Sequence, residues 1–139
     1  TPSVVHRRGN TITERGSLVC REMMVSTDDY LAADQKTAYL DCDLLSDDLS
    51  LRSWTAGDRF YPLGMAGSKK LKSFLTDEGV AASEKKNVLV LLSGGRIAWV
   101  VGHRIDDRFK VTPSTTRVLR CEWIEKREES TNSTGRVLS

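Results

Sequence analysis

The chain has 139 residues, 39% of them hydrophobic and 29% charged, with a formal net charge of +2. These values fit one globular domain that can bury a core without disulfides or metals, and they exclude whole-chain disorder and a fibrous class. The longest apolar run, Val88-Leu89-Val90-Leu91-Leu92, is strand-sized and far short of the roughly 18–20 residues of a spanning helix, so no membrane association is expected.

The sequence begins Thr1-Pro2, with neither a Met nor an apolar signal region, and reads as a piece of a longer or processed polypeptide. The small net charge hides an asymmetry. Residues 1–51 hold five basic and nine acidic residues, whereas residues 52–127 hold fifteen and eight, a net of −4 beside a net of +7. A basic body suits a polyanion, or it neutralises an acidic neighbour; charge alone leaves both open. Cys20, Cys42 and Cys121 are odd in number, widely spaced and set among β-type residues, which predicts buried, reduced thiols and a reducing cytoplasm. His6 and His103 are isolated, so no metal site is expected.

In chain order, residues 3–25 read as short strands broken at Gly9-Asn10 and Arg15-Gly16. Asp28 through Lys36 is a polar connection. Thr37–Cys42 alternates with period two, with Ala38, Leu40 and Cys42 on the buried face. A second strand over Leu49–Trp54 is expected to pair with it through the loop Leu44–Asp48. Gly57-Asp58 and Pro62-Leu63-Gly64 break the chain. A helix is predicted over Lys69–Glu78, with Ser68 as N-cap, Gly79 just past its end, and an apolar stripe of Leu71, Phe74 and Leu75. A short second helix starts at Ser83. Strands at Val88–Leu92 and Ile97–Val101 flank a Ser93-Gly94-Gly95 hairpin, and a last strand covers Arg117–Ile124. The tail beyond Arg127 is polar and expected to be disordered. The class is α+β: a mostly antiparallel sheet, one main helix and a short second helix.

The densest feature runs Gly57-Asp58-Arg59-Phe60-Tyr61-Pro62-Leu63-Gly64, then Gly67-Ser68-Lys69-Lys70-Leu71-Lys72. Free N–H groups at a helix start bind anions, yet two lysines in a first turn oppose the helix dipole. A local rule broken at one place points to function, here an anion site beside Arg59, against the alternative of a solvated helix face. It is not a P-loop, because Ser68 follows Gly67. Asp58 reads as a turn residue or as a partner for the next Arg rather than as a catalyst. Asp41-x-Asp43 lacks the later ligands of a calcium loop, and no nucleophile elbow is present. Trp54, Phe60, Phe74, Trp99 and Phe109 read as core before they read as base-stacking platforms. Asn132-x-Thr134 matches a glycosylation pattern that a cytoplasmic tail would not use.

The run Leu51-Arg52-Ser53-Trp54-Thr55-Ala56-Gly57-Asp58-Arg59-Phe60-Tyr61-Pro62-Leu63-Gly64-Met65 with Gly67–Lys72, and the distal run Trp99–Thr112 containing Gly102-His103-Arg104-Ile105-Asp106-Asp107-Arg108, resemble the C-terminal domain of bacterial tRNA(Ile)-lysidine synthetase. The resemblance covers about residues 38–124. It implies a fold similar to a domain of the phenylalanyl-tRNA synthetase β subunit, a 38–126 domain, an added or preceding segment 1–37 and a tail 127–139. It implies a tRNA-binding module gripping the acceptor arm of tRNA(Ile), with the ATP- and lysine-using ligase chemistry on the wobble cytidine in a separate N-terminal domain. This fragment would then hold no catalytic residue and no cofactor. Residue by residue, Arg59, Lys69, Lys70, Lys72, Arg104 and Arg108 match basic positions and are expected at RNA. Arg104 and Arg108 could instead pair with Asp106 and Asp107. Gly57, Asp58, Gly64, Gly67 and Gly102 would shape the loops. Ser73 and Ala81-Ala82 depart from the family's Asp and Pro-Arg, with Lys85 and Lys86 as basic substitutes. The alternative function is a structural or homodimerisation domain packed on the catalytic part.

Overall fold

A computed structural model describes residues 2–26 and 34–126. The expectations for residues 27–33, for the tail and for Asn132-x-Thr134 lie outside these residues. The strands are β1 (Ser3–Val4), β2 (Gly9–Ile12), β3 (Gly16–Met24), β4 (Thr37–Asp41), β5 (Leu49–Ser53), β6 (Arg59–Phe60), β7 (Lys69–Lys70), β8 (Leu89–Ser93), β9 (Arg96–Val100), β10 (Arg104–Ile105) and β11 (Arg117–Glu125). The helices are α1 (Leu71–Asp77) and α2 (Ala82–Lys85).

These strands make two main antiparallel sheets, ordered β1-β5-β8-β9-β10 and β2-β3-β11-β4, with a separate β6–β7 ribbon. One core cluster lies between the two sheets, with Leu18, Cys20, Leu40 and Cys121 meeting Leu49, Leu51, Leu91 and Trp99. A second lies on the other face of the five-stranded sheet, where Phe60, Leu71, Phe74 and Leu75 cover Val90, Leu92, Ile97 and Val100. The five-stranded sheet is thus covered on both faces. That is why β8 is apolar at nearly every position instead of alternating. Cys20, Cys42 and Cys121 are buried free thiols, as expected, and Cys20 and Cys121 face each other across β3–β11 with sulfurs 3.6 Å apart.

The β8–β9 hairpin turns at Gly94 and Gly95, both at positive φ (56° and 90°), the pair of conformations a tight two-residue turn demands. Its register shifts by one between Leu91 and Leu92. This bulge at Ala98 puts Ala98 and Trp99 both toward the inter-sheet core and returns Ile97 and Val100 to the helix side.

Three expectations are corrected. Strands β4 and β5 do not pair with each other: β4 lies beside β11 and β5 beside β8. A 3-10 turn over Cys42–Leu44, with the Asp41 carboxylate accepting from the Asp43 N–H, carries the chain from one sheet to the other. Strand β4 is buried on both faces, because Asp41 accepts a bond from the Thr115 hydroxyl (2.7 Å) and the Tyr39 hydroxyl accepts one from Arg120. Finally, Lys69 and Lys70 are not helical. They form β7, and the helix starts at Leu71 with extended Lys70 as an N-cap that makes no side-chain bond, so Ser68 is not the cap. The predicted end holds, with Gly79 at φ 80° just beyond it.

Strand β3 pairs along its whole length with β11, and β1 extends the five-stranded sheet beside β5. At the start of β3, a Cβ on Gly16 would meet the Ile124 carbonyl oxygen and the Trp123 ring, the latter at 2.8 Å. Gly57 has open space around it and is not in the left-handed region. Gly16→Ala should therefore destabilise the domain by about 2 kcal/mol through overpacking. Gly57→Ala should stay within about 0.5 kcal/mol. Urea midpoints of the two variants check the contrast, and equal midpoints would contradict it.

Candidate nucleic-acid interface

The two sequence runs singled out above meet in space. Asp58 lies within the first. Its carboxylate takes both Arg52 Nη atoms (2.9 and 3.0 Å) and the Thr55 N–H (2.7 Å), and its carbonyl accepts from the Leu71 N–H that opens α1. Its arginine partner is thus Arg52, not the neighbouring Arg59. Partial burial pulls the Asp58 carboxyl up, but the Arg52 guanidinium and the Thr55 N–H outweigh it and hold the group below the ordinary carboxylate value.

From there β6 pairs with β7, Arg59 opposite Lys70 and Phe60 opposite Lys69. Phe60 is fully buried and meets Phe74 of α1 edge-to-face, ring centroids 5.0 Å apart. With Phe60 turned inward, Arg59 and Lys70 are left outside on one face of the ribbon. Like charges placed directly opposite are unfavourable in a strand pair. The helix-dipole conflict expected from the sequence does not exist for Lys69 and Lys70, and this cross-strand opposition stands in its place. Gly64 and Gly67, at φ 85° and 75°, shape the loop between the two strands.

The second run turns at Gly102 (φ 82°), passes through β10 and buries Asp106 completely. The Asp106 carboxylate accepts from the Tyr61 N–H (2.9 Å), the Arg108 N–H (2.8 Å) and the Arg108 Nε and Nη2 (both 3.0 Å). Its own N–H donates to the carbonyl of the bulged Ala98, and the Asp107 N–H donates to the Tyr61 carbonyl. Pro62 bridges to Asp106, completing the seam between the runs. The Arg108 guanidinium stacks over the Tyr61 ring at 4.3 Å, and its bond to Asp106 drives it further toward the charged form. Arg104 lies over the Phe74 ring at 5.3 Å and reaches Glu78 at 3.5 Å. Burial lowers the His103 pKa below its ordinary value, partly offset by Glu78.

The six cations named from the sequence thus fall into two groups. Lys69 is ion-paired with Asp77, Arg104 with Glu78 and Arg108 with Asp106, while Asp107 pairs with Lys110. Lys70 and Lys72 are exposed with no ion pair among the described residues, and exposed Arg59 touches only the Ser68 hydroxyl (3.1 Å from Nη2). Of the basic substitutes, Lys85 donates to the Thr76 hydroxyl. Sequence reasoning saw Asp106 only as a counter-charge and missed its role as the tie between the two runs. The available signal was an Asp-Asp-Arg step directly after a strand. Among the described residues, no group of three or more metal-ligating side chains lies together.

A family profile described as the TilS substrate C-terminal domain matches residues 49–123. The chain belongs to that family. It is 39% identical over 102 residues to the tRNA(Ile)-lysidine synthase of Bacteroides thetaiotaomicron, covering 73% of this chain and 24% of the relative. It is 41% identical over 99 residues to that of Parabacteroides distasonis, covering 71% and 23%. The chain therefore spans about a quarter of the length of these curated relatives. A solved structure described as the crystal structure of a TILS C-terminal domain superposes with a TM-score of 0.68 over 81% of this chain and 85% of that one, at 19% identity. The α+β fold read from the sequence is that fold.

Because Asp106 is fully buried, deleting its carboxylate strands the Arg108 guanidinium and the Tyr61 N–H. Asp106→Ala should cost about 3 kcal/mol, and Asp106→Ala with Arg108→Ala should cost less than the sum of the two single changes. Chemical denaturation of the four proteins tests this, with additivity as the contrary outcome. Asp58 has a depressed folded pKa, so its stabilisation is present above the unfolded carboxylate value of about 4 and lost as pH falls through the folded one. Arg52→Ala should therefore flatten the acid limb of the stability–pH curve.

Proposed function

We propose that this chain is the tRNA-contacting C-terminal domain of a tRNA(Ile)-lysidine synthase, with the β6–β7 ribbon as its phosphate-binding face. The observation that carries the reading is the Arg59–Lys70 opposition, beside Lys72, without an acidic partner among the described residues. A row of nucleic-acid phosphates supplies the missing counter-charge and relieves the repulsion. The acceptor arm of tRNA(Ile) is the proposed ligand, held by shape and backbone as duplex RNA usually is. Arg104 and Arg108, fixed by Glu78 and Asp106 over aromatic rings, extend that face as pre-positioned cations. Lys69, tied to Asp77, contributes less.

In this reading the domain positions substrate and does no chemistry. Joining lysine to the wobble cytidine at the expense of ATP belongs to the remainder of the enzyme, which makes up about three quarters of the curated relatives' length. The compartment is the cytoplasm, consistent with three buried free thiols.

Binding of tRNA(Ile) should weaken with salt, with a log–log slope of about −3 from three neutralised phosphates. Replacing Arg59, Lys70 and Lys72 by alanine together should cost at least about tenfold in affinity and remove most of that slope. Lys69→Ala should do less. Filter binding across a salt series checks both. A slope near zero, with self-association in sedimentation, would instead support a structural or homodimeric role.

A further inference from the structure

Beside the cationic face lies a cavity of about 340 Å3 at the seam where the edge strands of the two sheets, β4 and β10, approach each other. Its walls are apolar: Trp99 and Ile105 from the five-stranded sheet, Tyr39 from β4, and Leu63 and Val111 from the flanking loops. That volume lies in the range of small-ligand sites. The rim is polar: Arg104 and Lys110, ion-paired with Glu78 and Asp107, stand on it with Asp34 and Gln35.

Two features tie this cavity to the ribbon face. Leu63 belongs to the loop joining β6 to β7, and its N–H is bonded to the Ile105 carbonyl (3.1 Å). Arg104 stands on the cavity rim while its guanidinium covers Phe74 of α1. A nucleic-acid strand with its phosphates on the ribbon would therefore pass the cavity mouth.

We infer that this cavity receives one unpaired nucleobase of an RNA whose backbone lies on the cationic face. A base has flat apolar faces and a polar edge. The partly exposed Leu63, Ile105 and Val111 side chains offer apolar contact to the faces, and the Gln35 amide on the rim offers both a donor and an acceptor to the edge. His103 also lines the cavity, and burial lowers its pKa, which favours the neutral imidazole with its one donor and one acceptor. An aliphatic side chain from another protein segment would use the walls but leave the polar rim unmatched. The inference rests on the tRNA-contact reading for the position of the backbone, and on the cavity for the base.

The test uses the full 139-residue chain and three RNA probes: a blunt duplex, the same duplex with a short single-stranded tail, and that duplex with an abasic tail. The base-bearing tail should bind about tenfold more tightly than the abasic one, the gain expected of burying one base against apolar side chains. Ile105→Trp, which fills the cavity with another apolar group, should erase that gain and leave blunt-duplex affinity unchanged. Leu63→Asp, at a side chain 39% exposed and so safe for folding, should erase it too. Equal binding of the two tails by the wild-type chain overturns the inference. So does a base-dependent gain that survives in both variants. If the blunt duplex binds with a steep salt dependence but the bases add nothing, the base pocket fails and the phosphate reading stands. If the blunt duplex fails to bind while a base-dependent gain is lost in both variants, the pocket stands and the phosphate reading fails.

Discussion

The arrangement depends on one buried carboxylate. Asp106 has no exposed surface, and a charge in that position is expensive unless every lone pair is used. Four donors use them, two from the backbone and two from one guanidinium. The backbone donor from Tyr61 comes from the far end of the β6 strand, some forty-five residues earlier in the chain. Satisfying Asp106 therefore forces the ribbon to lie against β10 and the turn that follows it. The Asp106 N–H in turn donates to the Ala98 carbonyl, which carries the β9–β10 register one step beyond the Ile105–Trp99 pair.

A second consequence concerns which side chains are left to face water. The ribbon and α1 cover one face of the five-stranded sheet with Phe60, Leu71, Phe74 and Leu75. Strand alternation then sends Arg59 and Lys70 outward from the ribbon, and Lys72, on α1 next to buried Leu71, is exposed beside them. The cations are exposed because the apolar residues between them are in demand on the inside. The ribbon is only two residues long on each side. It tolerates an Arg–Lys opposition because buried Phe60, the Leu71 N–H bonded to the Asp58 carbonyl, and the Tyr61–Asp106 bond hold it from three directions.

Much of this was legible in the sequence, and the exceptions share a cause. The Gly94-Gly95 hairpin, the apolar stripe of α1, its glycine stop and the burial of Phe60, Phe74, Trp99 and Phe109 all follow from local chemistry, and they are found in place. Lys69 and Lys70 read as helix because a lysine pair before an apolar stripe carries no strand signal. They are extended only because Arg59 and Phe60, ten residues earlier, offer a partner. Strands β4 and β5 looked like a hairpin because they are adjacent in sequence. A capped 3-10 turn at Cys42–Leu44, a detail with little sequence signature, sends them to different sheets. The cationic positions were readable by resemblance. Which of them carry counter-ions was not, since Asp77, Glu78 and Asp106 reach them through the folded structure.

That last point recasts the charge balance of the chain. The basic body from residue 52 onward is not uniformly free charge. Arg52, Lys69, Arg104, Arg108 and Lys110 are each held by a carboxylate, and most of these partners sit in the same two sequence runs. Where the carboxylate is half-buried, as at Asp58, or fully buried, as at Asp106, the pair is architecture and fixes a loop. Where cations have no such partner among the described residues, as at Lys70 and Lys72, they stand on the ribbon and the start of α1 that the pairs have positioned. An exposed ion pair contributes little to stability, so acidic residues opposite Lys70 and Lys72 would have gained the fold almost nothing. The same residues would have cancelled the field that a polyanion meets first. Lys69, on the Phe60 side of the ribbon, carries Asp77, whereas the Arg59–Lys70 side has no acidic partner among the described residues, which is what the proposed phosphate contact requires.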